Sequence, residues 1–126
     1  MKCSIYMESA RDFHKYKVWQ DAVLLASLVY SETSKMPWFE KKGICDQLQR
    51  AVVSISSNIA EGCSRPSDIE FVHFLDIALG SAYEVETQLI ISKNIGYINE
   101  ETFQKILSED VAVQKQLFGM IKSVRS

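Results

Sequence analysis

The sequence predicts an all-α fold, specifically an antiparallel up-down four-helix bundle. Apolar residues recur at spacings of three and four in four separate segments, which is the period of one helix face. No run of residues alternates between apolar and polar with a period of two, as a half-buried strand would. Only two prolines and five glycines occur in 126 residues, which favours long helices joined by short loops.

The first helix is predicted over residues 18–35. It should end there because Pro37 cannot continue helical hydrogen bonding and disfavours helical geometry in the residue before it. Residues 1–12 carry no apolar pattern and are predicted to form an irregular N-terminal segment, so that one domain covers residues 13–126. The apolar face of this helix consists of Val18, Ala22, Leu25 and Val29.

The second helix is predicted over residues 42–62, with Gly62 as its stop residue. Trp38 and Phe39 lie in the connector before it, and we expect these two large aromatic side chains to fold back onto the core. The apolar face consists of Ile44, Leu48, Ala51, Val52, Ile55 and Ile59.

The third helix is predicted over residues 68–95. Ser67 and Glu70 fit a capping box at its start, and Gly96 follows its end. Its apolar positions alternate steps of four and three, the seam of a helix that packs in a bundle. These positions are Phe71, Leu75, Ala78, Ala82, Val85 and Leu89.

The fourth helix is predicted over residues 100–124, with Asn99 as its N-cap. Ile98 should pack on Phe103 across the cap, as in a hydrophobic staple. Its apolar side consists of Phe103, Ile106, Leu107, Val113, Leu117, Met120, Ile121 and Val124.

Composition excludes several classes of function. The formal charge is −2 and the pI is near 5.7, whereas a domain that grips nucleic-acid phosphates usually has a basic excess. Cys3, Cys45 and Cys63 are odd in number and far apart, which indicates reduced thiols in a cytoplasmic protein rather than disulfides or zinc ligands. No apolar run approaches the roughly 20 residues of a membrane span, so no membrane partner is expected.

A polar stripe runs along the second helix beside its apolar face. Its residues are mostly short or hydrogen-bonding, which predicts a second packed surface against another helix or another subunit. We name as the assembly stripe the residues Gln47, Arg50, Ser54, Asn58, Glu61 and Arg65, together with Gly80, Ser81 and Glu84 of the third helix.

Two contacts of the assembly stripe are predicted across helices. Arg50 should pair with Glu84, because a buried arginine requires a carboxylate partner; the alternative is that Arg50 is a solvated surface residue. Glu61 should likewise meet a partner on the third helix. Gly80 costs about 1 kcal/mol relative to alanine in mid-helix, which favours close approach by another helix there.

No catalytic constellation is complete in the sequence. Glu70 and His73 supply one E-x-x-H, but a di-iron bundle needs that motif twice, and the only other histidine is His14. The serines at 54, 56 and 57 have no neighbouring histidine to act as base. We therefore expect no enzyme activity, no metal, no cofactor and no small-molecule substrate.

A nucleic-acid contact remains as an alternative. Lys41 and Lys42 lie beside Trp38 and Phe39, so stacking on single-stranded bases is conceivable, although solvated lysines over a buried aromatic pair would give the same pattern. The candidate contact residues are Lys15, Lys17, Lys41, Lys42 and Arg65.

Three motifs stand out along the chain. The first consists of Phe13, Lys17, Val18, Trp19 and Gln20. The central motif, Q-L-x-R-A-x-x-S-I-x-x-N-I-A-E-G-x-x-R, extends from Gln47 to Arg65. The third consists of Phe74, Leu75, Ile77, Ala78, Gly80, Ser81 and Glu84. Together these motifs resemble those of the four-helix-bundle family found in intervening sequences of bacterial 23S rRNA genes. Many relatives carry proline where this chain has Ser56, so a kink in the second helix is not expected.

The resemblance implies an all-α bundle that assembles into a homopentameric ring and has no enzyme activity. The family is also similar to the accessory variability protein of diversity-generating retroelements, which partners a reverse transcriptase and nucleic acid. The resemblance therefore implies a non-catalytic, self-assembling protein encoded by intervening-sequence elements. The alternative is a nucleic-acid-binding accessory protein with an RNA or reverse-transcriptase partner.

Overall fold

Four α-helices follow one another in the computed structural model, which describes residues 11–126. No strand occurs in that range, and the predicted all-α fold with four helices is confirmed. The helices are α1 (Lys17–Thr33), α2 (Ile44–Cys63), α3 (Asp68–Asn94) and α4 (Glu100–Arg125), with one-turn 3-10 helices at Phe13–Lys15 and Trp38–Glu40.

The predicted caps form at the starts of α3 and α4. The Ser67 hydroxyl accepts a hydrogen bond from the Glu70 backbone N–H at 3.2 Å, and Asn99 accepts one from the Thr102 N–H at 2.8 Å. Each bond satisfies an N–H group that has no partner inside the helix. Gly96 follows α3 with φ +86°, a left-handed conformation that glycine adopts without a steric penalty.

The first two helices deviate from the predicted bounds by up to two residues at their facing ends. α1 ends at Thr33 rather than near residue 35, and α2 begins at Ile44, after the 3-10 turn. In the predicted irregular segment, residues 1–10 lie outside the described part of the chain. Arg11 and Asp12 have no regular secondary structure, and Asp12 caps the first 3-10 turn.

The helices surround a single hydrophobic core in the cyclic order α1, α2, α3, α4. Each helix packs beside its two neighbours, and within residues 11–126 the backbones of diagonally placed helices stay more than 8 Å apart between Cα atoms. The fully buried larger side chains at the centre are Leu25, Leu48, Ile55, Ile59, Leu75, Ile106 and Leu117. This arrangement creates four outer faces, each formed by a pair of adjacent helices.

The aromatic pair in the α1–α2 connector does not return to the core. Trp38 is 86% exposed and Phe39 is 64% exposed, so the expectation that they pack inward is wrong. The reason is that the turn is anchored by another residue. Glu40 accepts a hydrogen bond from the Tyr97 hydroxyl at 2.6 Å, which fixes the turn to the α3–α4 connector and leaves the two rings outside.

Within the described residues, no helix is both long enough and apolar enough to cross a lipid bilayer.

Candidate functional site

The centre of the assembly stripe is an intramolecular contact between α2 and α3. The Ser54 and Ser81 hydroxyl oxygens lie 2.8 Å apart, and the Asn58 amide donates to the Ser54 hydroxyl at 2.9 Å. Ser81 is buried, whereas Ser54 and Asn58 are half-buried. Small hydroxyl side chains therefore allow these two helices to pack closely while satisfying their own polar groups.

Arg50 does not pair with Glu84 in the structure. Its guanidinium Nε lies 2.9 Å from the Asp46 carboxylate, one turn earlier on α2, and both Arg50 and Glu84 are exposed. The Arg50 head group is solvated, so burial does not require a carboxylate from the other helix. Glu84 and Arg50 still line the same shallow groove between α2 and α3, together with Gln47, Ala51, Ser54 and Gln88.

Glu61 also pairs with a residue close to it in the chain rather than with α3. Its carboxylate contacts Arg65, four residues later, and the Arg65 guanidinium lies 4.9 Å from the Phe74 ring centre. Arg65, just after α2, therefore packs on Phe74 of α3, and Glu61 orients the arginine.

The two glycines singled out in the sequence have different surroundings in the structure. A side-chain carbon at Gly80 would have no neighbour within 4 Å, so no helix of the described chain approaches it. At Gly62 the same carbon would lie 3.0 Å from Phe74 Cβ and 3.2 Å from the Phe71 carbonyl oxygen. Gly62 lies inside α2, so it permits close packing of α3 rather than stopping the helix.

Asp110 is a buried acid that the sequence reasoning missed. It is fully buried on α4, where one carboxylate oxygen accepts from Gln114 at 2.8 Å and the other has no partner within the described chain. Burial raises the pKa of this carboxyl to about 7, and the nearby Glu86 adds to the rise. Its place in the three-four apolar register of α4 is the signal that could have revealed it.

His73, the histidine of the E-x-x-H motif, lines an open cleft. His73 is exposed beside a cleft of about 450 Å³ between the start of α3 and the end of α4, with Asp68 and Asp76 on its walls. Asp68 pairs with Arg11 and Asp76 with Arg125. In the described chain, no group of three or more histidine, cysteine or acidic side chains is placed to bind a metal ion.

Two thiols lie in the core and have weak acidity. Burial raises the pKa of Cys63 to about 11, and it also raises the pKa of Cys45. Thiols of this kind remain protonated at neutral pH and are poor nucleophiles. Cys3 lies outside the described residues.

The candidate nucleic-acid contacts separate into two groups at opposite ends of the bundle. Lys15 and Lys17 lie at the start of α1 and Arg65 just after the end of α2, whereas Lys41 and Lys42 lie before the start of α2. The length of α1 puts roughly 25 Å between the two ends. The five residues therefore do not form one patch.

In the described chain, both groups contain a lysine without an ion pair, but the exposure of the neighbouring aromatic rings differs. Phe13 and Trp19 near Lys15 are half-buried, whereas the rings at the α1–α2 turn are largely exposed. Lys17 pairs with Asp21 at 2.6 Å, and Arg65 pairs with Glu61. Lys41 and Lys42 form no ion pair within the described chain, and they lie beside the exposed Trp38 and Phe39 rings.

Comparisons with known proteins agree with this fold. A solved structure from Bacteroides thetaiotaomicron, a protein of unknown function from the S23 ribosomal protein family, superposes with a TM-score of 0.77. It is 27% identical, and the match covers 83% of this chain and 98% of that chain. A search of the curated proteins found no match. The family model of the 23S rRNA-intervening sequence protein matches residues 14–119, and the chain therefore belongs to that family.

Proposed function

We propose that this protein is a non-catalytic helical-bundle scaffold of the cytoplasm that assembles with copies of itself, with a homopentameric ring as the expected form. The outer surface of α3 carries the proposal. A helix on the outside of a monomeric bundle normally presents a polar side to water. Beside its polar residues, the outer side of α3 exposes five large apolar side chains, namely Ile69, Ile77, Tyr83, Ile90 and Ile91.

Gly80 supports the same proposal. It lies in the middle of α3 on the exposed side, where it costs about 1 kcal/mol relative to alanine and no part of the described chain approaches it. Close approach by a second copy would account for a glycine at this position. Of the assembly stripe, Gln47, Arg50, Glu61 and Glu84 are also exposed and would border such a contact.

The test of this function is the absolute mass in solution by multi-angle light scattering across a range of concentrations. A mass near five chains that is stable to dilution is expected. A mass of one chain at micromolar concentration would overturn the scaffold function. A stable assembly of this kind should bury roughly 1,200 Å² or more of surface between neighbouring chains.

A nucleic-acid-binding accessory function is the second candidate, favoured by the α1–α2 turn. Trp38 and Phe39 are exposed on a turn that Glu40 fixes in place, with Lys41 and Lys42 beside them. Exposed aromatic rings stack on unpaired bases, and unpaired lysines attract phosphates. An RNA or a reverse transcriptase bound to RNA would be the partner.

The matched experiment measures binding of a labelled single-stranded RNA by fluorescence anisotropy at several salt concentrations. Trp38→Ala should weaken binding about fivefold or more, since base stacking contributes roughly 1–3 kcal/mol. Lys15→Ala, at the other end of the bundle, is the control and should have little effect. Equal affinity of both variants, or affinity independent of salt, would exclude this site.

A further inference from the structure

The exposed aromatic side chains of the four helices lie on two of the four outer faces of the bundle. The α2–α3 face carries the Ser54–Ser81 contact, and the α1–α4 face is bridged by the Gln116 amide, which donates to Asp21 at 2.9 Å. The large apolar side chains exposed on these two faces are aliphatic, namely Ile77, Ile91 and Leu24. The α1–α2 face instead exposes Tyr30, and the α3–α4 face exposes Tyr83 and Phe118. The cyclic order of the helices puts these two aromatic faces on opposite sides.

The apolar stripe of the α3–α4 face follows from the register of the two helices. Asp76 and Arg125 form an ion pair at 2.9 Å across the outside of this groove. Because α3 and α4 are antiparallel, a step of two turns along both helices leads to Tyr83 and Phe118, which are 52% and 60% exposed. One further step along α3 leads to Ile90, which is also exposed.

The apolar stripe of the α1–α2 face lies on the opposite side of the bundle. Tyr30 and Val53 line the same groove between these helices and are 46% and 41% exposed. Val23, two turns before Tyr30 on α1, extends the exposed stripe. Among the described residues, one ion pair borders this groove, that of Asp46 with Arg50.

We propose that the α3–α4 stripe of one copy (Tyr83, Ile90, Phe118) docks on the α1–α2 stripe of the next copy (Val23, Tyr30, Val53). This inference rests on the proposed self-assembly and names its two surfaces. A different protein bound to this chain would need only one apolar face. Two apolar faces on opposite sides instead allow each copy to bind a second copy on one side and a third copy on the other. Such a contact is heterologous, and it closes into a ring when the rotation between neighbours permits.

The composition of both stripes fits the centre of a protein–protein contact. Interface centres are enriched in aromatic residues and depleted of lysine and acidic residues. With aromatic side chains of roughly 200 Å² each, Tyr83 and Phe118 alone expose on the order of 200 Å². That area is large enough to form the dry centre of a contact surrounded by polar residues.

The test uses two variants, each of which inactivates one face. Phe118→Glu puts a charge in the α3–α4 stripe, and Tyr30→Glu puts one in the α1–α2 stripe. Each variant should lose assembly and sediment as a single chain, with a wild-type circular dichroism spectrum because both positions are exposed. Leu24→Glu, on α1 and 63% exposed but outside both stripes, is the matched control and should keep the wild-type mass. Phe118→Ser replaces Phe118→Glu if the charged variant does not fold.

Mixing the two monomeric variants gives the decisive measurement. Each variant retains one intact face, so an equal mixture should form a complex of two chains and no larger species. A mixture that stays monomeric, or single variants that keep the wild-type mass, would overturn the assignment of the two faces. The scaffold function would still stand in that case, provided that the wild-type protein assembles. A wild-type protein that is itself monomeric would overturn both.

Discussion

At the scale of single residues, the most consequential feature is an acid inside the core. Asp110 occupies a position in α4 where its neighbours in the three-four register, Ile106 and Val113, are buried and apolar. Its only hydrogen-bond donor in the described chain is Gln114, which also donates to Glu86 at 2.8 Å. No cation of residues 11–126 offsets the burial, so the protonated acid is favoured in the folded chain.

This burial predicts a pH-dependent stability. The folded pKa of Asp110 is about 7, above the ordinary value of 3.8, so the folded chain binds the proton more tightly than the unfolded chain. The contribution of Asp110 to the free energy of unfolding is therefore most favourable below pH 4. It falls progressively as pH rises to about 7 and does not change further above that. Asp110→Asn, which cannot ionise, should be more stable than wild type at pH 8, with the difference disappearing near pH 4.

Urea unfolding of both proteins at several pH values checks this prediction. Asp46→Asn, at a position of α2 where the carboxylate is paired on the protein surface, is the control. Parallel stability profiles for wild type and Asp110→Asn would contradict the assignment of the titrating group.

At the scale of elements, features that depend on local chemistry could be predicted from the sequence, whereas features that depend on long-range packing could not. The caps of α3 and α4 were predictable, because Ser67 and Asn99 bond to backbone groups three residues away. The roles of Gly62 and Gly80 were not predictable, because each depends on what lies across from the helix. Periodicity identifies a face of a helix but not the atoms that face it.

The two glycines predict opposite effects of alanine. Gly62→Ala should destabilise the bundle by about 1–3 kcal/mol, since the new carbon would press on Phe74 and on the Phe71 backbone. Gly80→Ala should stabilise an isolated chain by up to about 1 kcal/mol, since it meets nothing and improves helix propensity.

Thermal unfolding measures the effect of each substitution on stability, and light scattering measures its effect on association. In the proposed assembly, Gly80→Ala should also weaken association, because a second copy approaches there. Equal stability changes at both positions would contradict the packing described for Gly62.

At the scale of the whole molecule, the placement of surfaces separates two candidate functions. The proposed docking stripes lie on the sides of the bundle, whereas Trp38 and Phe39 lie at one end. Assembly through the sides would leave the aromatic turn open to a nucleic acid, so the two functions are compatible. Several copies in one ring would present several such turns and raise the effective affinity for a long strand.

Fluorescence quenching by iodide tests this placement in the assembled protein. Trp38 is largely exposed and Trp19 is half-buried, so most of the quenchable emission should come from Trp38. Trp38→Phe should remove most of the quenching, and it should do so at concentrations where the protein is fully assembled. If wild-type emission became protected as the mass rose, the turn would lie within the contact rather than at a free end.

The sequence by itself determined the helix count, the caps, the core positions and the family. These follow from periodicity, from bonds between residues close in the chain, and from one long motif between Gln47 and Arg65. Only the tertiary structure decided that Arg50 bonds to Asp46, that Trp38 faces solvent, and that the cationic candidates lie at two ends. Those outcomes depend on contacts between distant segments, and a helix pattern does not encode which neighbour each residue meets.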